Sequence, residues 1–536
     1  MKTNFKSVLG VACLASALAG VAAGAEPRLA KFTEYEAGNT HVLTARGSNQ
    51  VRSLMEDLAK FRATLERLLN RKTASRGIPT YIFIVTSSDW QKYLQPRKNV
   101  TGWFQSSRFA NYIVMDVDVG YYEALATIFH EYTHYYLRSQ FSGSYPPWFN
   151  EGLAEVMGYA KFTKQNTAVL QIPMSRVFEA RDRQWIPFER MLVVDHGSPE
   201  YVNHDLASEF YAQAWLTVHY GMIENREFGA KMFEYLGQLN RLVPQKEAAS
   251  AAFGDLAAAD KLLRDYSRDT RMNSGAINLG EVAAFEFGKG KPVAELDALA
   301  QIIDLMFNTH TSPERIRPLV ESLERREPKS ARGAIFAARL AQYSDDNSAF
   351  DTAVTRAEGL IAPGDWQSRR ELALTLLDSA LDFNPLNTRS SADSDRDMKR
   401  ALRWFGDALT HNIDDVESLW GLGTAATRLR TNLDLAEEVL IAANKAAPGN
   451  ASISTSLANL YGTKDEPEKM IPFLKDSIRY ATDLGTRRWA TESLIETEKW
   501  VAERAKYEEE NRKQQEEYQR QLAEYEKKYG KRKKQP

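Results

Sequence analysis

Residues 120–141 read GYYEALATIFHEYTHYYLRSQF. Tyr121, Leu125, Ile128, Phe129, Tyr132 and Tyr136 recur at three- and four-residue steps with no proline among them, which predicts an amphipathic helix. On such a helix His130 and His134 lie one turn apart on one face, so both imidazoles can reach one ion. Zn²⁺ suits the pair, because it takes nitrogen ligands at about 2.0–2.1 Å in a tetrahedral arrangement. Glu131, next to the first histidine, is placed to hold a water and take its proton rather than to ligate the metal. The competing reading is a buried helix whose histidines and Glu131 satisfy one another.

A third ligand is expected downstream, in PPWFNEGLAEVMGYA at 146–160. Pro146 and Pro147 stop what precedes them, and Asn150 is the expected N-cap of a second helix. Glu151 then falls in its first turn, with Glu155 on the same face. A carboxylate from a second helix completes two His and one Glu and leaves a fourth position open, as a catalytic zinc needs. Glu155 is expected to accept the free ring N–H of a ligating histidine and fix its tautomer. The expected cofactor is one Zn²⁺ per chain.

HEYTH at 130–134 followed by WFNEGLAE at 148–155 resembles the gluzincin metallopeptidases, and among them the bacterial peptidase MA-like group. The likeness spans roughly residues 30–270 and is strongest at 128–158. It implies an α+β zincin-like domain, with Glu151 as third zinc ligand and endopeptidase activity on a peptide or protein substrate. The aminopeptidase branch of that family puts two more residues between the second His and the Glu. A GxMEN motif is also missing upstream, so the resemblance does not extend to exopeptidase action. In the family an edge strand beside the zinc pairs with extended substrate backbone, which implies Tyr112, Ile113, Val114 and Met115 as substrate-binding residues. An ordinary core strand is the alternative there. A Tyr or His from a later helix often faces the developing oxyanion; here Tyr211 is implied, with His219 two turns on as the other candidate. A core aromatic is the competing reading of Tyr211.

Around this centre, residues 31–45 have strand-like content, and 48–70 form a helix with Val51, Leu54, Leu58, Phe61, Leu65 and Leu68 in one stripe. PTYIFIVTS at 79–87 reads as a buried strand, Ser88 and Asp89 as caps of a short helix, and 101–118 as a hairpin turning at Ser106–Ala110. His41 reads as a surface or strand histidine, and His196 and His204 as loop or surface histidines rather than zinc ligands. Residues 205–222 form a strongly apolar helix, and two more helices close the domain near 271.

The first residues are a targeting segment: Lys2 and Lys6 precede an apolar run from Val8 to Val21 and an A-x-A site at Ala23–Ala25. The expectation is export to the periplasm with cleavage after Ala25. The single cysteine, Cys13, falls within that segment, so the mature chain relies on its cores rather than on disulfides. With 69 basic against 71 acidic residues there is no electrostatic case for nucleic acid, and no transmembrane span is expected.

From about 290 the pattern is helical throughout, with a 34-residue period. Residues 417–450 place Trp420, Ala436, Leu440, Ala443 and Pro448 at tetratricopeptide (TPR) positions. Residues 451–484 repeat the pattern with Leu457, Ala458 and Tyr461, and 383–416 with Ala401, Phe405 and Ala408. Segments 296–310, 312–326 and 331–345 read as further helices of the array. Its concave face is expected to bind a peptide or protein partner, or to pack against the first domain. Residues 494–536 read as a charged helix with a basic end. The expected organisation is therefore a signal peptide at 1–25, a gluzincin-like domain at 26–275, an all-α TPR-like solenoid at 276–493 and a helical tail at 494–536. The functional expectation is a zinc metallopeptidase whose repeats recruit substrate or partner. Its alternative is a TPR-type envelope adaptor whose metallopeptidase-like domain serves binding.

Overall fold

A computed structural model describes residues 28–70, 79–94, 102–116, 118, 120–140, 145–195, 197–241, 243–282, 288–309, 311–381, 389–481 and 484–530. The expected signal peptide with Cys13, His196 and the last basic residues lie outside them.

The N-terminal domain is α+β. β1 (Thr33–Ala37) and β2 (Thr40–Thr44) form a hairpin. The helix Ser48–Leu68 then carries the chain across to β3 (Thr80–Val85), which lies parallel to β2, as parallel pairing requires of a crossover. β4 (Gly102–Ser106) and β5 (Asn111–Asp116) form the expected second hairpin, and β5 runs parallel to β3. A second sheet comprises β6 (Ala160–Phe162), β7 (Thr167–Leu170) and β8 (Gly275–Asn278). The short β9 (Lys291–Pro292) returns to β1, so the main sheet has the order β4-β5-β3-β2-β1-β9. Strand pairing thus carries this domain past the expected boundary at 275 to about residue 292.

That order corrects one expectation. β5, which holds Tyr112, Ile113, Val114 and Met115, is paired on both sides, with β3 and with β4. Its backbone groups are committed to the ladder, and the edge position belongs to β4. The reason is that the hairpin attaches to β3 through its second strand. Capping near residue 88 also differs: Thr86, not Ser88, accepts the hydrogen bond from the Asp89 amide.

TYIFIV and NYIVMD are apolar without alternation because their sheet is covered on both faces. Ile82, Ile84, Ile113 and Met115 pack with Phe61, Ile128 and Phe129 of the helices Ser48–Leu68 and Tyr121–Gln140. On the opposite face Phe83, Val85, Tyr112 and Val114 pack with Leu299, Ile303, Leu319 and Leu340, which belong to the helical array. The array is therefore docked against the sheet as its second covering layer.

The array is a succession of antiparallel-type helical hairpins. Glu295–Asn308 precedes Pro313–Arg326, Ala331–Tyr343 packs on Asn347–Leu360, and Trp366–Ala380 on Ser391–Leu409. Val416–Arg428 then packs on Leu433–Ala446, and Ala451–Thr463 on Pro467–Tyr480. The repeat positions Trp420, Ala436, Leu440, Ala443, Leu457, Ala458 and Tyr461 are all buried. The units expected at 417–450 and 451–484 coincide with hairpins; the one at 383–416 does not. Ala401, Phe405 and Ala408 lie on the second helix of a hairpin that begins at Trp366. The final helix, Leu484–Tyr529, starts ten residues before the expected tail and anchors itself through buried Ala490 and Leu494. Among the described residues no helix is long and apolar enough to cross a membrane.

Candidate metal centre

The HExxH residues sit on the expected helix, Tyr121–Gln140. Its neighbour, Pro147–Gly158, begins four residues earlier than an N-cap at Asn150 implies, with Pro147 at the first helical position, where its missing N–H costs nothing. Asn150 is thereby inside the first turn, and its side chain is free to turn inward. Two glycines allow the crossings that bring these helices together. A Cβ on Gly158 would meet the Ala126 carbonyl oxygen at 3.2 Å and the His130 Cβ at 3.6 Å. A Cβ on Gly152 would lie only 2.4 Å from the Ala214 carbonyl oxygen, so the glycine lets the helix His204–His219 close against the back of the centre.

The three expected ligands converge. His130 Nε2 and His134 Nε2 are 3.1 Å apart. Glu151 Oε2 lies 3.4 Å from the first and 3.3 Å from the second. Ligand atoms at about 2.0–2.1 Å from a tetrahedral ion stand about 3.3–3.4 Å from one another, so this triangle is the face of a zinc-sized tetrahedron. Glu151 Oε2 is buried and has no hydrogen-bond donor of its own, an arrangement that costs free energy unless a cation meets it. Burial alone would raise the Glu151 pKa; the two imidazoles outweigh it and hold the carboxylate ionised, well below the usual range. Burial would likewise lower the His130 pKa, but Glu151, followed by Glu155 and Glu131, carries it up to about 9. The pocket demands positive charge. The donor set, two nitrogens and one oxygen, is the one catalytic zinc takes.

Two of the three residues are held by a second group. His134 Nδ1 lies 3.0 Å from Asn150 Oδ1; with Nδ1 donating there, Nε2 is left as the acceptor facing the cluster. The Tyr201 hydroxyl donates to Glu151 Oε1 at 2.8 Å, which turns the other carboxylate oxygen toward the histidines. Glu155 Oε1 stands 3.7 Å from His130 Nδ1, longer than a hydrogen bond, so the expected tautomer-fixing contact is made for His134 by Asn150 instead. Glu155 is itself gripped by Arg176 through two 2.9 Å hydrogen bonds, and Arg176 also reaches Glu179 at 2.8 Å.

Tyr211 lies on the helix His204–His219, its ring stacked on Tyr201 at 6.2 Å. Burial, then the charge of Glu151, then Tyr201 with its hydrogen bond, and last the charge of Glu131 raise its pKa, so the phenol keeps its proton. The Glu131 charge acts on His130, Tyr201 and Tyr211 alike. The His130 side chain is 18% exposed while Glu151 is 5% exposed, so the cluster opens to solvent on the His130 side. His219 is the candidate that falls away. Its Nδ1 is 2.8 Å from the Tyr266 hydroxyl, which in turn donates to Glu224 at 3.2 Å, and the ring is buried in that network. His41 sits on β2, stacked on Tyr81 and 3.7 Å from Glu34. His204 opens its helix.

Tyr201, Arg176 and Asn150 contact Glu151, Glu155 and His134, contacts that spacing did not single out. Only Asn150 left a signal, as the residue preceding Glu151.

No protein-family model matches the chain, and no curated protein matches it. Solved structures of TPR proteins do resemble part of it. YrrB, described as a TPR protein with an unusual peptide-binding site, is 17% identical over 36% of this chain and 90% of its own, with a TM-score of 0.26. TTC0263, a thermophilic TPR protein of Thermus thermophilus, is 15% identical over 37% and 99%, with a TM-score of 0.31. PilW, a widely conserved type IV pilus biogenesis factor, is 12% identical over 40% and 94%, with a TM-score of 0.29. The hairpin character of the array rests on its own helix pairing.

Proposed function

We propose that this chain is a zinc-dependent peptide-bond hydrolase. The observation that carries the reading is the triangle of His130 Nε2, His134 Nε2 and Glu151 Oε2, with edges of 3.1, 3.3 and 3.4 Å around a buried carboxylate oxygen that lacks a donor. Zinc held there would supply the Lewis acidity that polarises a peptide carbonyl. Glu131 takes the proton from the attacking water and delivers it to the leaving amine. The Tyr211 phenol, kept protonated by its surroundings, donates where negative charge builds on the carbonyl oxygen. Asn150 and Tyr201 hold His134 and Glu151 in the orientations this requires.

The experiment is metal analysis of the purified chain together with Glu131→Gln. The wild type should carry about one zinc and cleave a denatured protein; the variant should keep the metal and lose turnover by about 10²-fold or more. A wild-type chain that holds zinc yet cleaves nothing would favour the second reading, an envelope adaptor that keeps the metal domain for binding. What supports that alternative is the extent of the helical array, from Glu295 to Tyr529, and its broad contact with the sheet.

A further inference from the structure

The turn between β4 and β5 is closed tightly: the Ser107 amide donates to the Ala110 carbonyl at 2.8 Å, and the Ala110 amide to Ser107 Oγ at 3.2 Å. Its tip does not point to solvent. It meets the helical array where the first helices of successive hairpins, Trp366–Ala380, Val416–Arg428 and Ala451–Thr463, lie side by side.

Each helix contributes a different contact. Asp378 pairs with the Arg108 guanidinium at 2.9 Å. The ring of Trp420 lies 4.6 Å beneath the same guanidinium and 5.2 Å from the Phe109 ring. Trp420 is itself fixed, donating to Ser456 Oγ at 2.9 Å. Asn450, the N-cap of Ala451–Thr463, is buried and donates from Nδ2 to the Arg108 carbonyl oxygen at 2.7 Å. Phe109 belongs to the hydrophobic core of the array rather than to that of its own sheet. A partly exposed ion pair alone contributes little. An aromatic anchor, a cation over an indole face and a main-chain hydrogen bond at one point are how a peptide is recognised.

We propose that the tip Ser107–Ala110 is an internal ligand of the helical array, seated on Asp378, Trp420 and Asn450, and that this seat holds β4 in place beside the metal-ligand helix. β4 is the edge strand of the sheet, and its Phe104 packs on Tyr135 of the helix that carries His130 and His134, ring centroids 5.5 Å apart. Arg108 is thereby a positioning residue: it acts on the metal cleft through the strand it anchors. Asp378, Trp420 and Asn450 of these three helices are engaged by this chain, so recruitment of an outside partner onto them requires displacing the tip.

Hydrogen exchange on the full-length protein tests this with a charge-swap cycle. Arg108→Glu and Asp378→Arg should each raise exchange at residues 102–106 by on the order of tenfold while the helix 121–140 stays protected. The double variant restores the ion pair but leaves no cation over Trp420, so it should recover part of the lost protection. Singles that exchange like the wild type, or a double variant in which the two effects add, would overturn the proposal. Should Arg108→Glu not fold, Phe109→Ala empties the seat without altering charge, and unchanged protection of 102–106 would overturn the proposal equally. Any effect on turnover rests on the hydrolase reading; the exchange result does not, so a chain without activity would still decide it.

Discussion

Asn150 Oδ1 lies 3.0 Å from Nδ1 of His134, and the next residue in the chain, Glu151, supplies the oxygen that faces Nε2 of the same ring at 3.3 Å. One turn of one helix thus both orients a histidine and shares the proposed ion with it. Replacing Asn150 by Ala should weaken zinc binding by about 10–100-fold, whereas Asp should largely preserve it, because a carboxylate also accepts from Nδ1. Titration against a competing chelator measures both.

Tyr211 and Tyr201 make different predictions although their rings stack. Tyr201→Phe removes the donor to Glu151 Oε1 and should lower zinc affinity. Tyr211→Phe should leave zinc content unchanged and lower kcat by about 10²-fold with little change in KM, since its donation matters where charge develops. Steady-state kinetics on a fluorogenic peptide separate the two.

Gly152 is a packing requirement as much as part of a motif. Gly152→Ala puts a methyl group 2.4 Å from the Ala214 carbonyl oxygen, on backbone that cannot turn aside. Overpacking of this kind costs about 1–3 kcal/mol. The thermal midpoint of the metal-free protein should fall by several degrees, and zinc affinity with it, as the helix that carries Glu151 is pushed off the helix His204–His219.

The buried His219 makes stability depend on pH. Burial lowers its pKa from the ordinary 6.5 to about 4, with Glu224 opposing. Above pH 6.5 the ring is neutral in both folded and unfolded chains and contributes no dependence. Between 6.5 and about 4 the unfolded chain takes up a proton that the folded chain refuses, so stability falls as pH falls. The loss by pH 5 is about 2 kcal/mol. Denaturant midpoints at pH 7 and pH 5 should differ more for the wild type than for His219→Gln, and an equal difference would contradict this assignment.

How much of this was legible in the sequence depended on whether a helix or a strand order decided it. His130 and His134 are four residues apart on one helix, so their convergence follows from helical geometry alone. Glu151 needed only a second helix packed on the first. Tyr201 and Arg176 come from elements whose approach depends on tertiary packing, and nothing in their spacing announces it. The apolar runs at β3 and β5 signalled burial on both faces, but not that Leu299 and Ile303 of the helical array would supply the second cover. The hairpin at 101–118 was readable, while its outer strand was not, because that is set by which strand joins β3. Ala401, Phe405 and Ala408 lie on the second helix of their hairpin, as Ala436, Leu440 and Ala443 do on theirs; the expected start at 383 missed because the first helix, Trp366–Ala380, ends before it.

The most direct test is X-ray absorption at the zinc edge on the purified, zinc-loaded protein, compared with Glu151→Gln and with His130→Ala. The account predicts a four-coordinate ion with two imidazole nitrogens at about 2.0–2.1 Å and low-Z oxygen neighbours. One imidazole should be lost in the His130 variant, and occupancy should fall in the Glu151 variant. An all-oxygen shell, or an imidazole count unchanged by His130→Ala, would contradict it.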